Sequence, residues 1–153
     1  MRKQTHRKIY LTNINPITHA IAGAAITDRN ILDGLRSKEY LALDAIVRGM
    51  GEVNDWRVLT DTLNITEMMG NNGIGPEALP TCAEAQKALI QAKERYERTG
   101  KMGFDGPGIK AMRDLIEYAD LQQSSISRSL FEKMIQKTSN YIRSKGDRVT
   151  VLE

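Results

Sequence analysis

Along most of this chain, apolar residues recur every three or four positions, the spacing of a helix with one buried face. The first clear run covers 33–48, where Leu35, Leu43, Ile46 and Val47 fall near one side and Lys38 and Asp44 fall elsewhere. Asp33 is suited to cap its start, because a carboxylate accepts the unpaired N–H groups of a first turn, and Gly49 ends it. A second run begins near Asn54 or Asp55. Trp56, Leu59 and Leu63 follow at i, i+3 and i+7, with Met68 or Met69 beyond, and "GNNGIGP" at 70–76 breaks the pattern. The third run is the longest, 77–99, with Pro76 or Pro80 in its opening turn, where a missing N–H does little harm. Leu79, Cys82, Gln86, Leu89 and Tyr96 form its stripe, with alanines beside it, and "KERYER" pairs Lys93 with Glu97 on the outside. A fourth helix is predicted over 107–122, with Ile109, Met112, Ile116 and Ala119 inward. A fifth is predicted over 128–144, with Phe131, Met134, Ile135 and Ile142 inward. Ser129-x-x-Glu132 matches the capping box that marks a helix start, and Ser127 is the competing cap.

The two ends depart from helical spacing. "KIYLTN" and "RVTVLE" alternate apolar and polar residues, as short strands do. "PITHAIAGAAIT", 16–27, fits a short helix and a packed extended segment equally well. The expected fold is mainly all-α: a five-helix compact bundle with short terminal β-strands. Residues 1–8 read as a mobile basic arm and 9–153 as a single helical domain, a size that suits one hydrophobic core.

Charge changes the picture more by its distribution than by its total of +3. Residues 1–8 carry Arg2, Lys3, Arg7 and Lys8 and no acid. Residues 39–77 carry seven acids (Glu39, Asp44, Glu52, Asp55, Asp61, Glu67 and Glu77) against Arg48 and Arg57. Residues 128–148 carry six bases against Glu132 and Asp147. Basic ends around an acidic middle steer charged partners, or let copies of the chain meet head to tail. Cys82 is the single cysteine, so no intrachain disulfide forms, which fits a reducing compartment. Asn13, Asn15, Pro16 and His19 interrupt any signal-peptide core, and no apolar run is long enough to span a membrane. A cytoplasmic protein without membrane contact is expected.

Candidate chemistry is sparse. "GKMGFDGPGIK", 100–110, is the only stretch that invites comparison with a phosphate loop. The Walker pattern fails, because Gly100-Lys101 is followed by Met102 and position 95 is Arg. The dinucleotide fingerprint fails, because Ala111 stands where its third glycine belongs. The simpler reading is a helix stop at Gly100 and a new start at Asp105, with Pro107 in the first turn. His6 lies in the arm and His19 in the small-residue segment 16–27, Cys82 sits on an alanine-rich face, and the pairs Glu117–Asp120 and Glu39–Asp44 have ordinary spacings. No catalytic residue, cofactor or metal is expected, and the chain is read as a non-enzyme.

Two binding readings remain. "EYADLQQSSISRSLFEKMIQKTSNYIRSK" has the outline of a helix, a short turn and a basic helix, so Arg128, Lys133 and Lys137, with Arg2 and Lys3 of the arm, are candidate nucleic-acid contacts of a DNA-binding regulator. Alternatively the acidic middle, Glu52, Asp55, Asp61 and Glu67, occupies a basic surface of a protein partner. The segments "GIGPEALPTCAEAQKAL", "ERYERTGKMGFDGPGIKAMRDLIEYADLQ" and "SSISRS" together resemble a group of small, largely uncharacterised helical proteins carried by bacterial phages and integrated mobile elements. The resemblance covers 16–153 and brings no assigned functional residue. What it implies is a setting in which compact helical proteins block a host machine by binding it, as anti-CRISPR proteins block a Cascade-like CRISPR surveillance complex. A homodimer is also expected, from the unpaired terminal strands and the spread of apolar residues over five helices.

Overall fold

The computed structural model describes residues 29–145. Among them are five α-helices and no strand: α1 (Arg29–Val47), α2 (Val53–Asn71), α3 (Leu79–Thr99), α4 (Gly106–Ser124) and α5 (Arg128–Lys145). A single 3-10 turn, Pro76–Ala78, leads straight into α3. The all-α bundle expected from the spacing is present. The terminal strands, the basic arm with Arg2 and Lys3, both histidines and the 16–27 segment lie outside the described residues.

The helix ends show why the chain breaks where it does. α1 closes in a Schellman motif: Gly49 takes φ 77° and donates to Ile46 O, while Met50 N–H donates to Ala45 O. α3 ends on Gly100 at φ 72°, whose N–H bonds Tyr96 O. At the start of α4, Asp105 Oδ1 accepts from Gly108 N–H at 2.7 Å, as its position before Pro107 suggested. Two expected caps change. α1 begins at Arg29, because Arg29, Ile31 and Leu32 are themselves acceptable helix residues, so Asp33 lies inside the helix and caps nothing. At α5 it is Ser127 whose hydroxyl accepts from Leu130 N–H at 3.1 Å, while Glu132 turns outward to pair with Arg128.

α2 is the central helix and touches the other four. Its Trp56, Leu59 and Leu63 are sealed in the main core with Leu43 and Ile46 of α1, Cys82, Ala85, Leu89 and Ala92 of α3, and Met112, Leu115 and Ile116 of α4. Trp56 Nε1 donates to Leu89 O at 2.9 Å, so the one buried indole N–H is satisfied. The alanines of α3 bring a neighbouring helix close. A Cβ at Gly108 would stand 3.2 Å from that of Ala88, so small residues on both helices let α3 and α4 approach closely. Gln122 of α4 ties the 72–75 connection to α2, its amide donating to Ile74 O at 2.9 Å and to Thr66 O at 3.2 Å. α5 lies over α2 through a smaller cluster, Met69, Ile126, Phe131 and Met134. Two residues expected inward are not: Ile135 is 39% exposed and Val47 is 42% exposed.

Candidate functional site

The glycine-rich stretch 100–110 works as a stop and a start. Asp105 already occupies the N-terminus of α4, so an arriving phosphate would meet a carboxylate there. Arg95 of α3 lies over Gly103, where a Cβ would come within 3.1 Å of its guanidinium. Cys82 belongs to the core, and burial pushes its thiol up to about 11, far from a reactive thiolate. No group of three or more His, Cys, Asp or Glu residues among the described ones could hold a metal ion, and no helix there is long and apolar enough to cross a membrane.

The four predicted acidic contacts do not converge. Glu52 and Asp55 serve the N-terminus of α2, where Asp55 Oδ2 accepts from Glu52 N–H at 2.8 Å. Along the helix, Asp55, Asp61 and Glu67 follow one another at six-residue intervals. At about 100° per residue they point in three directions, spread over about 18 Å of axis. The basic set is partly engaged by its own chain. Arg128 pairs with Glu132 at 3.1 Å, Lys137 Nζ donates to Asn72 Oδ1 at 2.6 Å, and Lys133 is exposed.

Two other surfaces are organised. The first lies where α1 meets α4. Arg36 Nη2 contacts Glu117 Oε1 at 2.5 Å, and Nη1 contacts Asp120 Oδ2 at 3.3 Å. The Tyr40 hydroxyl donates to the same Glu117 oxygen, and the Arg36 guanidinium carbon lies 5.5 Å from the centre of the Tyr40 ring. These bonds from Tyr40 and then Arg36 hold the Glu117 carboxyl below the usual carboxylate range. The cluster stays open to solvent, with the Arg36 side chain 38% and the Glu117 side chain 52% exposed. Leu121, one turn beyond Glu117 on the same face, is 62% exposed.

The second is a groove between α1, α2 and α5. Two adjoining depressions of about 390 and 220 Å³ share Asp61, Ile65 and Ile135 in their walls. Leu35, Val58 and Phe131 line one end, and Thr138, Ser139, Ile142 and Arg143 line the other. Glu39 stands in its inner wall, only 9% exposed. Burial pushes its carboxyl up to about 7, with the Asp120 carboxylate adding to the rise and Thr62 and Arg36 opposing it. The Thr62 hydroxyl faces two acceptors, Glu39 Oε1 at 3.1 Å and Val58 O at 3.0 Å. Partial desolvation also raises the Asp61 carboxyl, and Lys38 pulls it back.

Residue types and spacing did not single out Arg36 or Tyr40. Their i,i+4 relation was visible, but their acidic partners stand 81 and 77 residues away. No protein-family model matches this chain, and neither a curated protein nor a solved structure matches it.

Proposed function

We propose that this chain is a stoichiometric, non-enzymatic binding protein that docks on a larger macromolecular assembly and blocks it, with the α1–α4 face as its contact. The observation that carries this reading is the Arg36–Tyr40–Glu117–Asp120 cluster with exposed Leu121 beside it. Arginine and tyrosine dominate binding hot spots, and side chains already held by one another lose little freedom on docking. Exposed ion pairs contribute less than about 1 kcal/mol to folding, so stability alone is a weak account of four groups gathered there. The narrower setting, inhibition of a CRISPR surveillance complex, is carried by the resemblance of the three segments.

A photo-crosslinker at Leu121, in host lysate, should trap one multisubunit complex in a fixed ratio, and a crosslinker at Glu84 on α3 should not. Purified protein titrated onto a Cascade-like complex should abolish DNA capture at saturation, and Glu117→Arg should prevent this without lowering the melting temperature. Substrate turnover, or binding of free duplex DNA that weakens steeply with salt, would overturn the reading.

A further inference from the structure

The groove between α2 and α5 has a symmetry that the α1–α4 face lacks. Along α5 its wall reads Ile135, Thr138, Ser139, Ile142. The order is large, small, small, large, and it is unchanged when read backwards about the point between Thr138 and Ser139. Ile135 is the exposed member, Ile142 and Ser139 are half-buried, and Thr138 is buried with its hydroxyl donated to Met134 O at 2.7 Å. Small residues at a crossing point let two helices approach, and the isoleucines on either side then interdigitate. The charges obey the same symmetry. Asp61 lies in the shared wall of the groove beside Ile135, and Arg143 lies at the far end beside Ile142. Neither is in a close ion pair among the described residues, although Lys38 acts on Asp61 from a distance. A two-fold axis that exchanges Ile135 with Ile142 also exchanges the neighbourhoods of Asp61 and Arg143, so opposite charges meet twice.

From this we propose that the groove is the homodimer interface: α5 of a second copy lies antiparallel in it, on an axis between Thr138 and Ser139, with Ile135 against Ile142 and Asp61 against Arg143 across the axis. An isologous contact must be self-complementary, and this wall is so in both size and charge. The inference is independent of the α1–α4 face and needs no target for its test.

Sedimentation velocity on the full chain should show a monomer–dimer equilibrium. Asp61→Arg alone and Arg143→Asp alone should each weaken it by about tenfold or more, because each sets like charges opposite one another twice. Mixing the two single variants should restore dimerisation as a heterodimer. The arginine introduced at position 61 of one chain then faces the aspartate introduced at position 143 of the other, and the native pair forms at the second contact. Rescue on mixing also shows that both variants fold. A wild-type chain that stays monomeric at the highest concentration overturns the proposal, as does a dimer indifferent to both reversals. A monomer that dimerises only when residues 146–153 are deleted overturns it too, and makes the chain's own tail the occupant.

Discussion

The main core and the α5 seam are built differently. In the core, α1 to α4 enclose Trp56, Leu59, Leu63, Leu89, Met112, Leu115 and Ile116 without solvent contact, and α3 and α4 close on each other through alanine and glycine. The α5 seam has four buried apolar residues, Met69, Ile126, Phe131 and Met134, and a groove alongside them. The core draws its side chains from four helices, whereas α5 rests mainly on α2. The four-helix unit therefore holds most of the buried apolar side chains, and α5 is attached to it by the smaller cluster. The sharpest break of that contrast is Trp56→Ala. It removes the largest core side chain and its bond to Leu89 O, so it should cost about 3–5 kcal/mol in urea unfolding. Met134→Ala should instead act locally. Hydrogen exchange should speed up in α5 while the amides of α1 to α4 keep most of their protection. Equal loss of protection in all five helices would show that the seam and the core unfold as one unit.

Glu39 lies between the two regions, and its effect comes next in size. Its carboxyl titrates at about 7 in the folded chain against 4.5 for the free group. A raised carboxyl favours folding when protonated. Its contribution is complete below pH about 4.5 and is lost as pH rises through about 7. Glu39→Gln removes the ionisation while keeping the shape. It should stabilise the protein at pH about 8 by an amount on the order of 3 kcal/mol, and by almost nothing at pH about 4. Thermal melts across that range check it. A variant that gains nothing at high pH means that Glu39 is ionised without penalty, and that water enters the groove wall.

These three tests also mark what the sequence made legible. The five helices followed from apolar spacing, because the period of a buried face is local information, and Gly49, Gly100 and Asp105 acted where a stop or cap was expected. Asp33 misled because the residues before it also accept helix, which its side chain alone does not reveal. Glu39 looked like one acid among seven; its burial, and its meeting with Thr62 of α2 and Asp120 of α4, depend on helix packing. The acidic middle looked like a patch because sequence neighbours were summed, whereas the helix turns Asp55, Asp61 and Glu67 apart. The Arg36 cluster and the groove depend on which helices become neighbours, and no local pattern carries that.

A smaller contrast separates the caps that start α4 and α5. Asp105 is a charged cap whose carboxylate accepts at 2.7 Å, and the helix it starts belongs to the main core. Asp105→Ala should cost about 1–2 kcal/mol of global stability, read in urea.

Ser127 caps the appended helix with a neutral hydroxyl at 3.1 Å, a weaker bond at the edge of the smaller cluster. Ser127→Ala should therefore cost about 0.5–1 kcal/mol, and the loss should show first as faster exchange of the Leu130 and Phe131 amides. The neighbouring Ser129 is exposed inside the first turn, so Ser129→Ala should change stability by no more than about 0.3 kcal/mol. The pair of variants decides which serine starts α5. If Ser129→Ala were the more damaging, the capping box with Glu132 would be the working start, and the Arg128–Glu132 pair at 3.1 Å would have to give way to it. That would start α5 two residues later along the chain, just before Phe131 of the seam. The same measurement thus tests whether the seam between α5 and α2 is set by the cap or by the packing.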